Sequence, residues 1–124
     1  MSQSMRSELG RVRGLGSAHH GIQHWWLQRL SAIALVPLTI WFLYSVLNTT
    51  PETAAHFIAQ PLNALLAALL VVCTFQHMQL GLQVVIEDYV HDTAWKFFGL
   101  IAVKFLSFGI AAACLLSIIL IAVR

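Results

Sequence analysis

Three apolar stretches, each longer than a membrane crossing requires, constrain this chain more than any other feature of it. They cover residues 25–47, 62–86 and 97–123, and the helices expected from them run over about 25–47, 62–90 and 97–123. A helix needs about 20 apolar residues to traverse roughly 30 Å of hydrocarbon. In lipid, only helices and closed barrels pair every backbone N–H and C=O, and these stretches lack the alternation of barrel strands. The sequence therefore predicts an all-α integral membrane protein: a polar tail over residues 1–24, then a three-helix unit over 25–124. The composition agrees. Of 124 residues, 59% are apolar and 10% charged, and the mean hydropathy is +0.79, whereas a soluble domain carries about a quarter charged residues. A soluble globule and a disordered chain are both excluded. Cys73 and Cys114 lie inside apolar stretches, where they read as small packing groups, not a disulfide framework. The formal net charge of +2 gives no case for nucleic acid. The first stretch is too long for a signal-peptide core.

Basic residues set the expected direction. Arg6, Arg11, Arg13 and Arg29 precede or open the first stretch, the linker over 48–61 has none, and Lys96 lies in the linker over 87–96. The positive-inside rule places the N-terminus and the second linker on the cytoplasmic side, or the matrix side in a mitochondrion. Trp25, Trp26 and Trp95 stand where an interfacial aromatic belt would on that side, and Trp41 does not. The tail, with Gly10, Gly14, Gly16 and Gly21, reads either as a basic flank on anionic headgroups or as a dock for a soluble partner.

Polar groups at membrane depth need a partner or a task. His77 lies about fifteen residues into the second stretch, roughly 22 Å along a helix. Cys73, Gly81, Val84 and Asp88 share its face. The plain alternative is a histidine hydrogen-bonded to a neighbouring helix. The chemical one is an axial haem ligand, with small residues one turn above and below leaving room for a flat macrocycle. Close helix packing is the competing explanation of Gly81. With one mid-membrane histidine, a second axial ligand would have to come from another chain. Past His77, Asp88 and Tyr89 read as an ordinary interfacial end or as a carboxylate beside a phenol able to donate to a quinone carbonyl. Arg29 either snorkels to headgroups or meets Asp88, a haem propionate or a quinone oxygen. His19, His20 and His24 have no thiolate or carboxylate nearby to complete a metal site. Lys104 either snorkels or pairs with a carboxylate of the second linker. Gly109, Ala113 and Ser117 form a small-residue stripe expected to pack on another helix.

Two stretches together resemble the small D-type membrane-anchor subunits of succinate dehydrogenase, respiratory complex II, in the alphaproteobacterial or mitochondrial-like form. One is Gly16-Ser17-Ala18 with His24-Trp25-Trp26-Leu27-Gln28-Arg29-Leu30-Ser31-Ala32-Ile33-Ala34. The other, more specific, is His77-x-x-x-Gly81 followed by Val85-Ile86-x-Asp88-Tyr89. The resemblance spans nearly the whole chain. It implies His77 as an axial ligand of a b-type haem, Tyr89 and Asp88 at a ubiquinone site, and Arg29 near both haem propionates and quinone, with His24 a further propionate candidate. Glu87 departs from the family pattern, standing where a threonine is common. The implied partners are a flavoprotein, an iron–sulfur protein and a second cytochrome b-type anchor, with membrane lipid around them. The implied location is the bacterial inner membrane or the mitochondrial inner membrane. FAD and iron–sulfur clusters belong to those partners, because this chain has no dinucleotide fingerprint and no cysteine cluster. The alternatives are a fumarate reductase anchor and a haem-free membrane scaffold.

Overall fold

The computed structural model describes residues 19–123 together with Leu9; the remainder of the tail and Arg124 lie outside the described residues. Over residues 19–123 the described helices are, in order, α1 (His19–Asn48), α2 (Pro51–Ala59), α3 (Pro61–Tyr89) and α4 (Thr93–Ala122). Three of them, α1, α3 and α4, are long and apolar enough to cross a membrane. Each has about 30 residues and hence a length of roughly 45 Å, more than the hydrocarbon thickness of about 30 Å.

The element bounds differ from the sequence reading in three places. First, α1 starts at His19, six residues before the apolar stretch. Helix continues there because its backbone bonds are internal and do not depend on side-chain polarity. Second, the linker over 48–61 contains α2. Pro51 opens it at a position where a missing N–H costs nothing. The Thr50 backbone N–H donates to Thr53 Oγ1 at 3.2 Å. Phe57 stacks on Trp41 of α1, ring centroids 6.2 Å apart, and Asn63 Nδ2 donates to the Phe57 carbonyl at 2.9 Å. That stack is where the non-belt tryptophan goes. Third, the second linker shrinks to residues 90–92. Asp92 caps α4 by accepting from the Trp95 N–H at 3.0 Å, and Lys96 Nζ donates to the Glu87 carbonyl at 2.8 Å across the turn.

The spanning helices form a row. The middle one, α3, packs on α1 along one side and on α4 along the other, while α1 and α4 do not meet. Among the described apolar side chains only Leu38 and Leu80 are buried. A row of three helices has no enclosed centre, so its apolar side chains face lipid or a neighbouring protein.

Small residues settle how closely α4 approaches α3, at a place other than the expected stripe. A Cβ built on Gly99 would stand 3.5 Å from Ile86, whereas one on Gly109 would meet nothing within 4 Å. Ala113 and Ser117 are exposed, so the 109–113–117 stripe faces away from the other helices of this chain. Lys104 is exposed. Gly99→Ala is expected to be tolerated, since 3.5 Å is ordinary contact. Gly99→Leu is expected to cost about 1–3 kcal/mol by overpacking, read as a lower melting temperature of the detergent-purified protein. Equal melting temperatures for the two variants would remove this role from Gly99.

Candidate functional site

The α1–α3 seam brings together polar side chains of both helices. The Ser31 Oγ stands 3.1 Å from His77 Nδ1 and donates to the Gln28 backbone carbonyl at 3.1 Å. Ser31 is 8% exposed. Serine can occupy such a buried position because its hydroxyl bonds back onto its own helix. One turn along α3, a Cβ on Gly81 would lie 3.6 Å from Gln28 Nε2. That is ordinary contact with a flexible side chain, so α1 and α3 would tolerate alanine there, and the packing of α1 on α3 does not by itself require the glycine.

On α1, His24, Gln28 and Ser31 recur at spacings of four and three and share one face. His24 Nε2 and Gln28 Oε1 are enclosed and have no hydrogen-bond partner among the described residues. Buried polar atoms without partners are uncommon, because each has lost water and gained nothing for it. Both residues lie on the face that carries Ser31. Of the two, His24 was a candidate from sequence. Gln28 was missed, although its place between His24 and Ser31 on a helical face was legible.

The two seam contacts set the register. Ser31 is level with His77, and Gln28 with Gly81. Running antiparallel, α3 brings Tyr89 level with the first residues of α1. Arg29 therefore sits deeper than Tyr89 by about nine residues, or roughly 13 Å along the axis. This separates Arg29 from Asp88 and removes their direct pairing as a reading of Arg29. The guanidinium instead lies over the Trp25 ring, 5.2 Å from its centroid, in a cation–π contact directed toward the end of the helix. Trp25 in turn meets Trp26 edge to face at 5.1 Å.

At that end, Tyr89 is the last residue of α3 and is 77% exposed. Asp88 and Glu87 are exposed beside it, and Glu87 accepts from Gln83 Nε2 at 2.8 Å. The Glu87 carboxylate is thus held by its own helix, while Lys96 meets only the backbone carbonyl, which any residue at position 87 would present. Among the described residues the Tyr89 hydroxyl has no hydrogen-bond partner. A separate groove of about 460 Å³, lined by Trp41, Phe57 and Leu70 among others, lies at the opposite end of the helices. It is nearly all apolar and has none of the predicted residues in it.

A family described as Succinate dehydrogenase/Fumarate reductase transmembrane subunit matches residues 3–121. The chain belongs to this family. Its relatives include the succinate dehydrogenase hydrophobic membrane anchor subunit of Rickettsia bellii, 36% identical over 110 residues, covering 86% of this chain and 88% of the relative. The subunit of the same description from Paracoccus denitrificans is 37% identical over 81 residues, 63% of each chain. The succinate dehydrogenase membrane anchor subunit of Reclinomonas americana is 28% identical over 96 residues, 73% of this chain and 80% of the relative. No solved structure gives a significant match. The three helices long and apolar enough to span a membrane accord with the description of this family as a transmembrane subunit.

Proposed function

We propose that this chain is the D-type membrane anchor of a succinate:ubiquinone oxidoreductase. In this reading, His77 supplies one axial ligand to a b-type haem shared with a second anchor subunit, and Tyr89, Asp88 and Arg29 border the site of ubiquinone reduction. The observation that carries it is the incomplete polar face of the α1–α3 seam: an imidazole with one nitrogen tied down, a glycine that the packing of α1 on α3 does not by itself require, and two enclosed polar atoms without partners among the described residues. The relatives are named for succinate dehydrogenase, which favours succinate oxidation over fumarate reduction as the physiological direction.

The residues present suit a haem. A neutral imidazole is a common iron ligand, the side chain at position 81 leaves clearance, and His24 and Arg29 lie on the mouth side of His77, where carboxylates of such a group could be met. When bound, haem supplies a one-electron redox centre next to the quinone site.

Reduction of the quinone takes two electrons, from an iron–sulfur partner, and two protons, from the cytoplasmic side. At the mouth of the seam the Tyr89 O–H donates to a quinone carbonyl oxygen, and Asp88 next to it orients the phenol and can relay a proton. The Arg29 guanidinium lowers the cost of negative charge developing on the quinone oxygen. The axial gap of roughly 13 Å between Tyr89 and Arg29 exceeds the length of either side chain. In this reading the quinone head is met by Tyr89 from one side and by Arg29, which lies along Trp25, from the other.

The experiment is a mild-detergent purification through a tag on this chain, with an absorption spectrum of the eluate. A flavoprotein and an iron–sulfur protein should co-elute, with a dithionite-reduced minus oxidised b-type band. A colourless eluate free of flavoprotein would leave a membrane scaffold instead.

A further inference from the structure

We propose that Ser31 is a positioning residue for His77, fixing the imidazole tautomer that leaves Nε2 as the metal-binding nitrogen. The inference rests on the haem-ligand reading above and goes beyond it by assigning a residue on a different helix to the tuning of that ligand. The argument starts from one proton. The Ser31 hydroxyl has a single hydrogen, which it donates to the Gln28 carbonyl. The same oxygen lies 3.1 Å from His77 Nδ1, so there it accepts, and Nδ1 carries the hydrogen. A neutral imidazole has only one N–H, and Nε2 keeps its lone pair. The opposite assignment would turn Nε2 into a donor, and no described residue accepts a hydrogen bond from it.

The consequence is electronic as well as geometric. A hydrogen bond from the remote ring N–H raises the basicity of the ligating nitrogen and fixes the plane of the ring. Ser31 is buried, so water cannot stand in for its oxygen. The ferric state, which gains most from a more basic ligand, is stabilised, and the midpoint potential is held down.

The test uses the assembled complex carrying Ser31→Ala, Ser31→Thr, Ser31→Cys or Ser45→Ala. Ser45 is the control: it is equally enclosed and makes the same kind of intrahelical bond, to the Trp41 carbonyl at 2.8 Å, but has no imidazole beside it. Haem per flavin is measured by pyridine haemochrome, and the midpoint potential by optical redox titration. Ser31→Ala is expected to weaken haem affinity about ten- to a hundredfold and to shift the potential of the remaining haem upward. Ser31→Cys, of similar size with a poor acceptor, should shift it in the same direction, Ser31→Thr should restore it, and Ser45→Ala should leave both readouts at wild type. Haem content and potential unchanged in Ser31→Ala and Ser31→Cys, with His77→Leu still haem-free, overturn the role of Ser31 and leave the ligand reading standing. Equal losses in Ser31→Ala and Ser45→Ala overturn it too, since helix stability alone would then explain them. A wild-type complex without a b-type band overturns both readings.

Discussion

The complex carrying His77→Leu is expected to lose its b-type difference band while still assembling. The two halves of this outcome have separate causes. An axial imidazole cannot be replaced by an alkyl side chain, so haem affinity falls with the ligand. Assembly is spared because leucine is apolar and of comparable size, and because Ser31 keeps its bond to the Gln28 carbonyl. No buried hydroxyl is orphaned, and the seam forfeits one neutral hydrogen bond, worth about 1 kcal/mol. Reduced-minus-oxidised spectra, normalised to flavin, measure the first half, and co-elution of the partners measures the second. A retained band of unchanged potential would mean that His77 is no more than a packed polar residue.

Tyr89→Phe is expected to lower quinone reduction by on the order of 10²-fold, the usual loss when one hydrogen-bond donor to a developing oxyanion is removed. Succinate oxidation by a soluble dye, which draws its electrons before the membrane is reached, should be spared. The exposure of Tyr89 makes the substitution structurally mild: the ring is at the end of α3, buries little, and its hydroxyl has no partner among the described residues that phenylalanine would strand. Parallel assays with a short-chain ubiquinone and with the dye separate the outcomes. Loss of both activities in equal measure would point to failed assembly and remove the quinone role. Asp88→Asn should give a smaller loss in the same direction, because the carboxylate acts on the phenol and not on the quinone oxygen.

Much of the site was legible along the chain. His77 stands out because an ionisable group in the middle of an apolar stretch is costly, and Asp88-Tyr89 because it ends that stretch. What the chain did not reveal was which α1 residues face His77. Arg29 drew attention as the charged group, yet it lies over Trp25 and is exposed. Ser31 and Gln28, which are uncharged, are the residues at the seam. Charge marks cost in lipid, but contact depends on the rotation of one helix against another, and a nearly all-round apolar helix carries little periodic signal to fix that rotation. The same ambiguity left open which helix the small-residue stripe would meet, and within this chain it meets none of the described ones. Gly109, Ala113 and Ser117 have the right spacing for close packing, but Gly99 is the glycine set against Ile86.

The lengths and hydropathy of three stretches were enough to determine that this is an all-α membrane protein with three spans, since hydrocarbon thickness and the need to pair every backbone group leave no other solution. Register and rotation were left open by the sequence and decided by packing. The tertiary structure set Ser31 opposite His77, put roughly 13 Å of helix between Tyr89 and Arg29, and made α3 the middle of an open row. The physical reason is that membrane insertion depends on summed hydrophobicity, which is additive along a chain, whereas helix contacts depend on the fit of particular side chains across a seam, which is not.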